Sequence, residues 1–140
     1  MSTAPSADTQ LHRRLAEDRN VWMCTQRSDG PPHVSPIWFV WHAGRLWSCT
    51  TSTAVKVRNL QADARLTLAL EDGNDPVVIE GSATLHTRPY PVPVVDAFQA
   101  KYGWDIRVPD DEGDWATLIE VAPTRWLFAG PPDGPGPEHR

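Results

Sequence analysis

Two basic residues, Lys56 and Arg58, follow directly on the hydroxyl residues Thr50-Thr51-Ser52-Thr53. Residues 54–60 are predicted to form a short helix that Ser52 or Thr53 caps. Because a helix start exposes unpaired N–H groups and carries partial positive charge, lysine and arginine are normally disfavoured there. Hydroxyls, free amides and two cations in one place suit a phosphate group. A surface helix with both cations in water would show the same pattern, so the residues alone leave both interpretations open.

Other kinds of site find little support in the sequence. There is no Gly-x-Ser-x-Gly motif, and neither cysteine lies near a predicted helix start. The histidines lack the spacing of a zinc site, and the acidic run at 110–114 lacks the regular ligand spacing of a calcium loop. No phosphate loop or dinucleotide fingerprint occurs either. The sequence therefore names no catalytic side chain and no metal site.

The elements that must position the basic segment are mostly strands. Alternating or β-rich stretches predict strands at 21–25, 33–42, 45–51, 65–70, 77–87, 115–121 and 125–128. Helices are predicted near Leu11 and Leu15, with Asp8 or Thr9 as the cap, and at 89–101. Pro36 inside the second strand indicates a sheet edge, a bulge or an opened ladder. Tight turns dictate antiparallel pairing, so we predict a mainly β fold, a six- to seven-stranded antiparallel barrel with short flanking helices.

Length and composition fit one small cytoplasmic domain. The chain has 140 residues, 40% of them hydrophobic, and a formal net charge of -5. Scattered basic residues argue against nucleic acid as a partner. The longest apolar run is too short to span a bilayer, and the two cysteines make no disulfide framework. We expect a single domain over residues 1–129, with a loose leader at 1–9 and a disordered Pro- and Gly-rich tail at 130–140.

Six motifs in series resemble the pyridoxamine 5′-phosphate oxidase-like, FMN-binding split barrels, especially their flavin/deazaflavin oxidoreductase branch. The resemblance covers roughly residues 10 to 128. The Lys-x-Arg-Asn-Leu segment is its most specific part, and Val-x-Glu-Gly supports it. The motifs are Val21 to Thr25, Asp29 to Pro36, Ile37 to Val40, Gly44 to Trp47, Lys56 to Leu60 and Pro76 to Gly81.

The resemblance implies a homodimer with the cofactor in a cleft between subunits. The ring system would lie along the second and third strands, and the phosphate would meet Thr51, Lys56 and Arg58. Trp38, Trp104 or Trp126 would cover the ring or the dimer seam. The residues implied in cofactor binding are Ser35, Pro36, Ile37, Trp38, Ser48, Cys49, Thr50, Thr51, Lys56 and Arg58.

The implied activity is hydride transfer between coenzyme F420, or alternatively FMN, and a small organic substrate. The ring carries the chemistry, which agrees with the missing acid–base constellation. A deazaflavin of the F420 type adds an acidic tail beyond its phosphate and gains from further basic residues, whereas FMN ends at its phosphate. Two rivals stay open: a non-catalytic protein that holds a flavin or haem-like ring, and a structural dimer with a vacant cleft.

Overall fold

The computed structural model of the protein describes residues 7–129. Within them it has three helices and seven strands. In chain order they are α1 (Ala7–Glu17), β1 (Val21–Thr25), β2 (His33–Ile37), β3 (Val40–His42), β4 (Arg45–Thr50), α2 (Val55–Ala62), β5 (Arg65–Leu70), β6 (Val78–His86), α3 (Val92–Tyr102) and β7 (Thr117–Leu127).

All seven strands form one antiparallel sheet that curls into an incomplete barrel. The strand order is β2-β1-β5-β6-β7-β4-β3, so β2 and β3 are the two edges. Only Trp38 and Phe39 separate these edges along the chain. Because a link of two residues cannot reach across an open seven-stranded sheet, the sheet must curl until β2 and β3 come close together. The predicted split barrel is confirmed.

Alternation of apolar residues fills the barrel interior. In β5, leucines at every second position are buried, and α1 contributes Leu11 and Leu15 to the same core. The largest side chains with almost no exposure include Phe39, Met23, Leu68 and Ile119. Phe39 therefore has two roles: it lies in the link between the two sheet edges, and its buried side chain fills the core beside them.

The second predicted strand differs from the structure. Residues 33–42 form two strands, because the chain leaves one edge of the sheet at Ile37 and joins the other at Val40. Pro36 pairs with Trp22 within the edge strand β2, which confirms the edge interpretation.

The predicted sixth and seventh strands are one strand, β7. A register shift at Glu80/Gly81 brings Gly81 opposite Pro123, which lets the ladder continue past the proline. A Cβ on Gly81 would lie 2.8 Å from the carbonyl oxygen of Ala122, so the Glu-Gly pair has a steric reason.

The helix caps also differ. Helix α1 begins at Ala7, before the predicted caps Asp8 and Thr9, so the last residues of the expected leader are helical. Helix α2 begins at Val55 with Ala54 as N-cap and no side-chain cap. The predicted cap Ser52 instead binds Asp114, far along the chain. The rest of the leader and the tail lie outside the described residues.

Helix α3 packs on the outside of the barrel. Val94, Val95 and Phe98 form a second apolar cluster with residues that include Trp47 and Leu118. No helix within residues 7–129 is both long and apolar enough to cross a membrane. The helix ends at Tyr102, next to the junction between the sheet edges.

Candidate functional site

A cavity of about 650 Å³ opens beside the junction of the two sheet edges. Four parts of the chain build it: the end of β2, the end of β4 with the start of α2, the end of α3, and the loop before β7. The lining residues are Pro36, Ile37, Trp38, Cys49, Thr50, Lys56, Tyr102, Gly103, Trp104, Asp110, Asp111, Glu112 and Trp115.

Six of the ten predicted cofactor residues meet in this cavity: Pro36, Ile37, Trp38, Cys49, Thr50 and Lys56. Four do not line it. The Ser48 hydroxyl is buried and donates to the Trp38 carbonyl oxygen at 2.9 Å. Thr51 borders the loop before β7, where its Cγ2 would lie 2.1 Å from a Cβ on Gly113. Ser35 precedes the lining residues on β2, with a buried hydroxyl that has no partner among the described residues. Arg58 lies outside, as described below.

Lys56 is an unpaired cation in the cavity wall. It lies in the first turn of α2 and is half-buried. Among residues 7–129 its ammonium group has no hydrogen bond or ion pair. Burial lowers the pKa of Lys56, and no neighbouring carboxylate raises it back. A half-buried charge without a partner lowers the stability of the folded protein, and an anion bound next to Lys56 would offset this cost.

Arg58 lies on another side of the same helix. It is exposed and borders a separate groove of about 370 Å³, together with Arg27, Ser28, Asp29, Val55, Asn59 and Ala62. Asn59 anchors this part of α2 through a hydrogen bond to the Thr25 hydroxyl at 3.0 Å. Of the three predicted phosphate ligands, Lys56 and Arg58 therefore border two different depressions, and Thr51 lines neither.

Aromatic rings form the wall at the end of α3. Trp38 stacks on Tyr102 with centroids 4.4 Å apart and an interplanar angle of 6°. Trp104 meets Trp38 edge-on at 5.7 Å and Trp115 edge-on at 5.0 Å. Trp38 remains 43% exposed, so this wall offers a flat apolar surface to a ring.

The backbone around Tyr102 fixes that wall. The Tyr102 hydroxyl donates to the Arg19 carbonyl oxygen at 2.7 Å and accepts from the Phe39 amide at 2.9 Å. The Arg19 guanidinium lies 4.5 Å from the Tyr102 ring centroid. Burial raises the pKa of Tyr102. These contacts tie the end of α3 to the junction between the sheet edges.

Trp115 is held in a left-handed backbone conformation, with φ 47°. Its carbonyl oxygen accepts from the Tyr90 hydroxyl at 2.5 Å, from Arg88 at 3.2 Å and from the Cys49 thiol at 3.4 Å. Burial raises the pKa of Cys49 to about 11, so this thiol stays protonated near neutral pH. Three donors hold the carbonyl oxygen of Trp115, and its backbone is strained. We take this as a sign that the position of its indole, which lines the cavity, matters.

Several lining residues have no local signal in the sequence. The loop residues Asp110, Asp111 and Glu112 are exposed, as expected of a solvated loop, yet they also form the rim of the cavity. Trp104 was among the tryptophans expected at the ring, whereas Trp126 is buried in the barrel core against Trp41. Within residues 7–129, no three His, Cys, Asp or Glu side chains gather as a metal site.

The arrangement fits a phosphorylated ring compound. The lining offers an unpaired ammonium group, the ends of β2 and β4, and aromatic faces. No histidine lines the cavity in the described part of the chain, the Cys49 thiol is protonated and the Tyr102 hydroxyl is engaged. The histidine that most often holds haem iron is absent from the described lining, and the aromatic faces with one ammonium group suit a phosphorylated flavin.

Comparisons with known proteins agree with this geometry. The family model described as Pyridoxamine 5'-phosphate oxidase matches residues 7–129. No curated protein matches the sequence.

Solved structures share the fold. An F420 reductase is 22% identical, with 84% of this chain and 95% of that chain covered and a TM-score of 0.66. A conserved hypothetical protein, Rv2991 from Mycobacterium tuberculosis, is 25% identical over 89% of this chain and 88% of that chain, with a TM-score of 0.66. HutZ, a haem storage protein from Vibrio cholerae, is 16% identical over 83% and 89%, with a TM-score of 0.67.

Proposed function

Because the chain belongs to the pyridoxamine 5′-phosphate oxidase family, we propose that it is an oxidoreductase whose flavin-type cofactor occupies the cavity beside Lys56. The single observation that carries this proposal is the half-buried, unpaired Lys56 ammonium in the wall of that cavity. A phosphate group there would supply the missing counter-charge. It would also anchor a ring against the aromatic wall.

The protein's own part in the reaction is to bind, orient and exclude water. Lys56 would hold the phosphate, and Pro36 and Ile37 would border the ring at the end of β2. Trp38 and Trp104 would cover apolar surface of the ring or of the substrate. When bound, the cofactor supplies the hydride chemistry itself, so no side chain is needed as an obligatory acid or base.

Coenzyme F420 is our first choice of cofactor, and FMN is the alternative. The groove with Arg27 and Arg58 adds cations beyond Lys56, which would favour a cofactor with an acidic tail. The exposed Asp110, Asp111 and Glu112 would repel such a tail, so it would have to leave on the α2 side. The F420 reductase among the fold neighbours is too distant to decide. FMN needs only Lys56.

We also propose that the active form is a homodimer. Trp22, Val34 and Trp38 are exposed apolar side chains, 39%, 55% and 43% accessible. They lie on or next to the paired strands β1 and β2, beside the cavity. A second subunit on this strip would bury them and close the open side of the site. Light scattering should give twice the 15.6 kDa chain mass, and a monomer at micromolar concentration would contradict the dimer.

The function is tested by side-by-side titration of purified protein with F420 and FMN, followed by a hydride-exchange assay with whichever binds. Tight binding of one cofactor and transfer of hydride from NADPH or to an acceptor would support the proposal. Binding without turnover under all conditions would favour a non-catalytic ring-binding protein. Failure to bind either cofactor would overturn the proposal.

A further inference from the structure

The carboxylate of Asp114 binds the segment that leads into α2. The Ser52 amide donates to Asp114 Oδ1 at 3.0 Å, and the Ser52 hydroxyl donates to Oδ2 at 2.5 Å. The Ala116 amide donates to the same Oδ1 at 3.1 Å. Because these bonds favour the ionised carboxyl group, the pKa of Asp114 is lowered, first of all by the Ser52 hydroxyl. We call this set of bonds the Ser52–Asp114 clasp.

The clasp joins two segments of the chain that border the cavity through Thr50 and Lys56 on one side and through Glu112 and Trp115 on the other. Ser52 lies four residues before Lys56, and Asp114 directly precedes Trp115. The approach is close: a Cβ on Gly113 would lie 2.1 Å from Thr51 Cγ2, so a larger residue at position 113 would displace the Thr51 side chain.

Arg88 also binds the loop that contains Asp114 and Trp115. The Arg88 guanidinium donates to the carbonyl oxygens of both Asp114 and Trp115. The loop that carries Trp115 is therefore tied to the α2 side through Ser52 and to the end of β6 through Arg88. The separation between the Lys56 ammonium and the Trp115 indole depends on these ties.

We propose that Asp114 is a positioning residue of the cofactor site: through Ser52 it fixes the start of α2, and with it Lys56, relative to the Trp115 wall before any ligand binds. This inference rests on the proposed function, since it assigns Lys56 to the phosphate. Asp114 itself does not touch the ligand. Its contribution is preorganisation, which lowers the ordering cost of binding.

The test compares FMN with riboflavin, which lacks the phosphate, in four proteins: wild type, D114A, K56A and the double variant K56A/D114A. We expect D114A to weaken FMN binding about tenfold and riboflavin binding about twofold or less. In the K56A background, D114A should then cost FMN no more than riboflavin, because the phosphate contact that it positions is gone. Asp96→Ala, an exposed acidic residue on α3, is the matched control and should change neither affinity.

A further variant keeps the proposal testable if D114A folds poorly, and a further measurement tests the clasp in folded D114A without a ligand. S52A removes only the hydroxyl half of the clasp and should weaken FMN binding by a smaller factor, about threefold. Amide exchange of Ser52 in the ligand-free protein should speed up in D114A and stay unchanged in D96A. This readout needs no cofactor at all.

An equal loss of FMN and riboflavin affinity in D114A would overturn the inference, because it would show a merely structural role. Tighter FMN binding in D114A would also overturn it, since the carboxylate would then compete with the phosphate for Ser52. If wild-type protein binds neither FMN nor F420, the proposed function fails, whereas unchanged Ser52 exchange in D114A would refute the clasp by itself.

Discussion

Lys56 and Arg58 are two cations on one helix, and their surroundings differ. At 3.6 residues per turn, positions two apart point to nearly opposite sides of a helix. Lys56 faces the large cavity, is half-buried and has a lowered pKa, whereas Arg58 is exposed beside Arg27. The difference teaches that a basic motif does not by itself mark an anion site. Our proposal for Lys56 rests instead on burial without a counter-charge.

The same comparison explains why the protein tolerates Lys56. An exposed arginine costs the fold nothing, since water solvates it. A half-buried lysine without a partner lowers the stability of the folded chain. Proteins keep such destabilising residues where function requires them. Helix α2 therefore has one exposed side with Arg58 and one side with Lys56 that borders the cavity where we propose the cofactor.

The largest expected effect separates the two cations directly. K56A should weaken binding of FMN or F420 by about 1.5–3 kcal/mol, the scale of a charge-assisted hydrogen bond. R58A should cost less than about 1 kcal/mol for FMN, as exposed ion pairs do. Isothermal titration of both variants measures this. Equal losses would erase the distinction between the two sides of α2.

A smaller effect concerns pH. Burial lowers the pKa of Lys56 in the free protein, and a bound phosphate would raise it again. Below the lowered pKa the lysine is charged before and after binding. As pH rises through that value, binding must take up a proton and affinity should fall. R58A should keep this decline and K56A should lose it, which titrations from neutral to alkaline pH would measure.

The smallest effect is on stability and has the opposite sign. Replacing Lys56 by Met removes a half-buried unpaired charge, so the ligand-free K56M protein should unfold with a free energy unchanged or higher by up to about 1 kcal/mol. R58M should leave stability within about 0.5 kcal/mol of wild type. Urea unfolding of both variants decides this. A clear destabilisation by K56M would mean that Lys56 has a structural partner.

Local patterns were enough for most of the fold. Alternating leucines placed β5 within its observed bounds, and the turn residues set the antiparallel order. Prediction failed where distant parts of the chain act on each other. Ser52 was predicted as a helix cap, but Asp114, 62 residues away, takes its hydroxyl. The strand predicted to end at residue 121 instead continues past Pro123, because the bulge at Gly81 accommodates the proline.

The candidate site was predictable on one side only. The residues on β2, β4 and α2 form short motifs, and six of them meet in the cavity. The opposite wall comes from Tyr102, Trp104, Trp115 and the acidic rim, which have no fixed spacing from those motifs. The excess of tryptophan was the available signal, but composition cannot say which indole lies where. Helical phase separates Arg58 from Lys56 on the sequence alone, because positions two apart point to nearly opposite sides of a helix.

The most direct test of the account is a crystal structure of the protein with bound FMN or F420. The phosphate should lie within hydrogen-bonding distance of Lys56 Nζ, with the ring in the cavity against Trp38 and Trp104. A phosphate in the Arg27–Arg58 groove, or a ring outside the cavity, would contradict the central claim that an unpaired buried lysine marks the site.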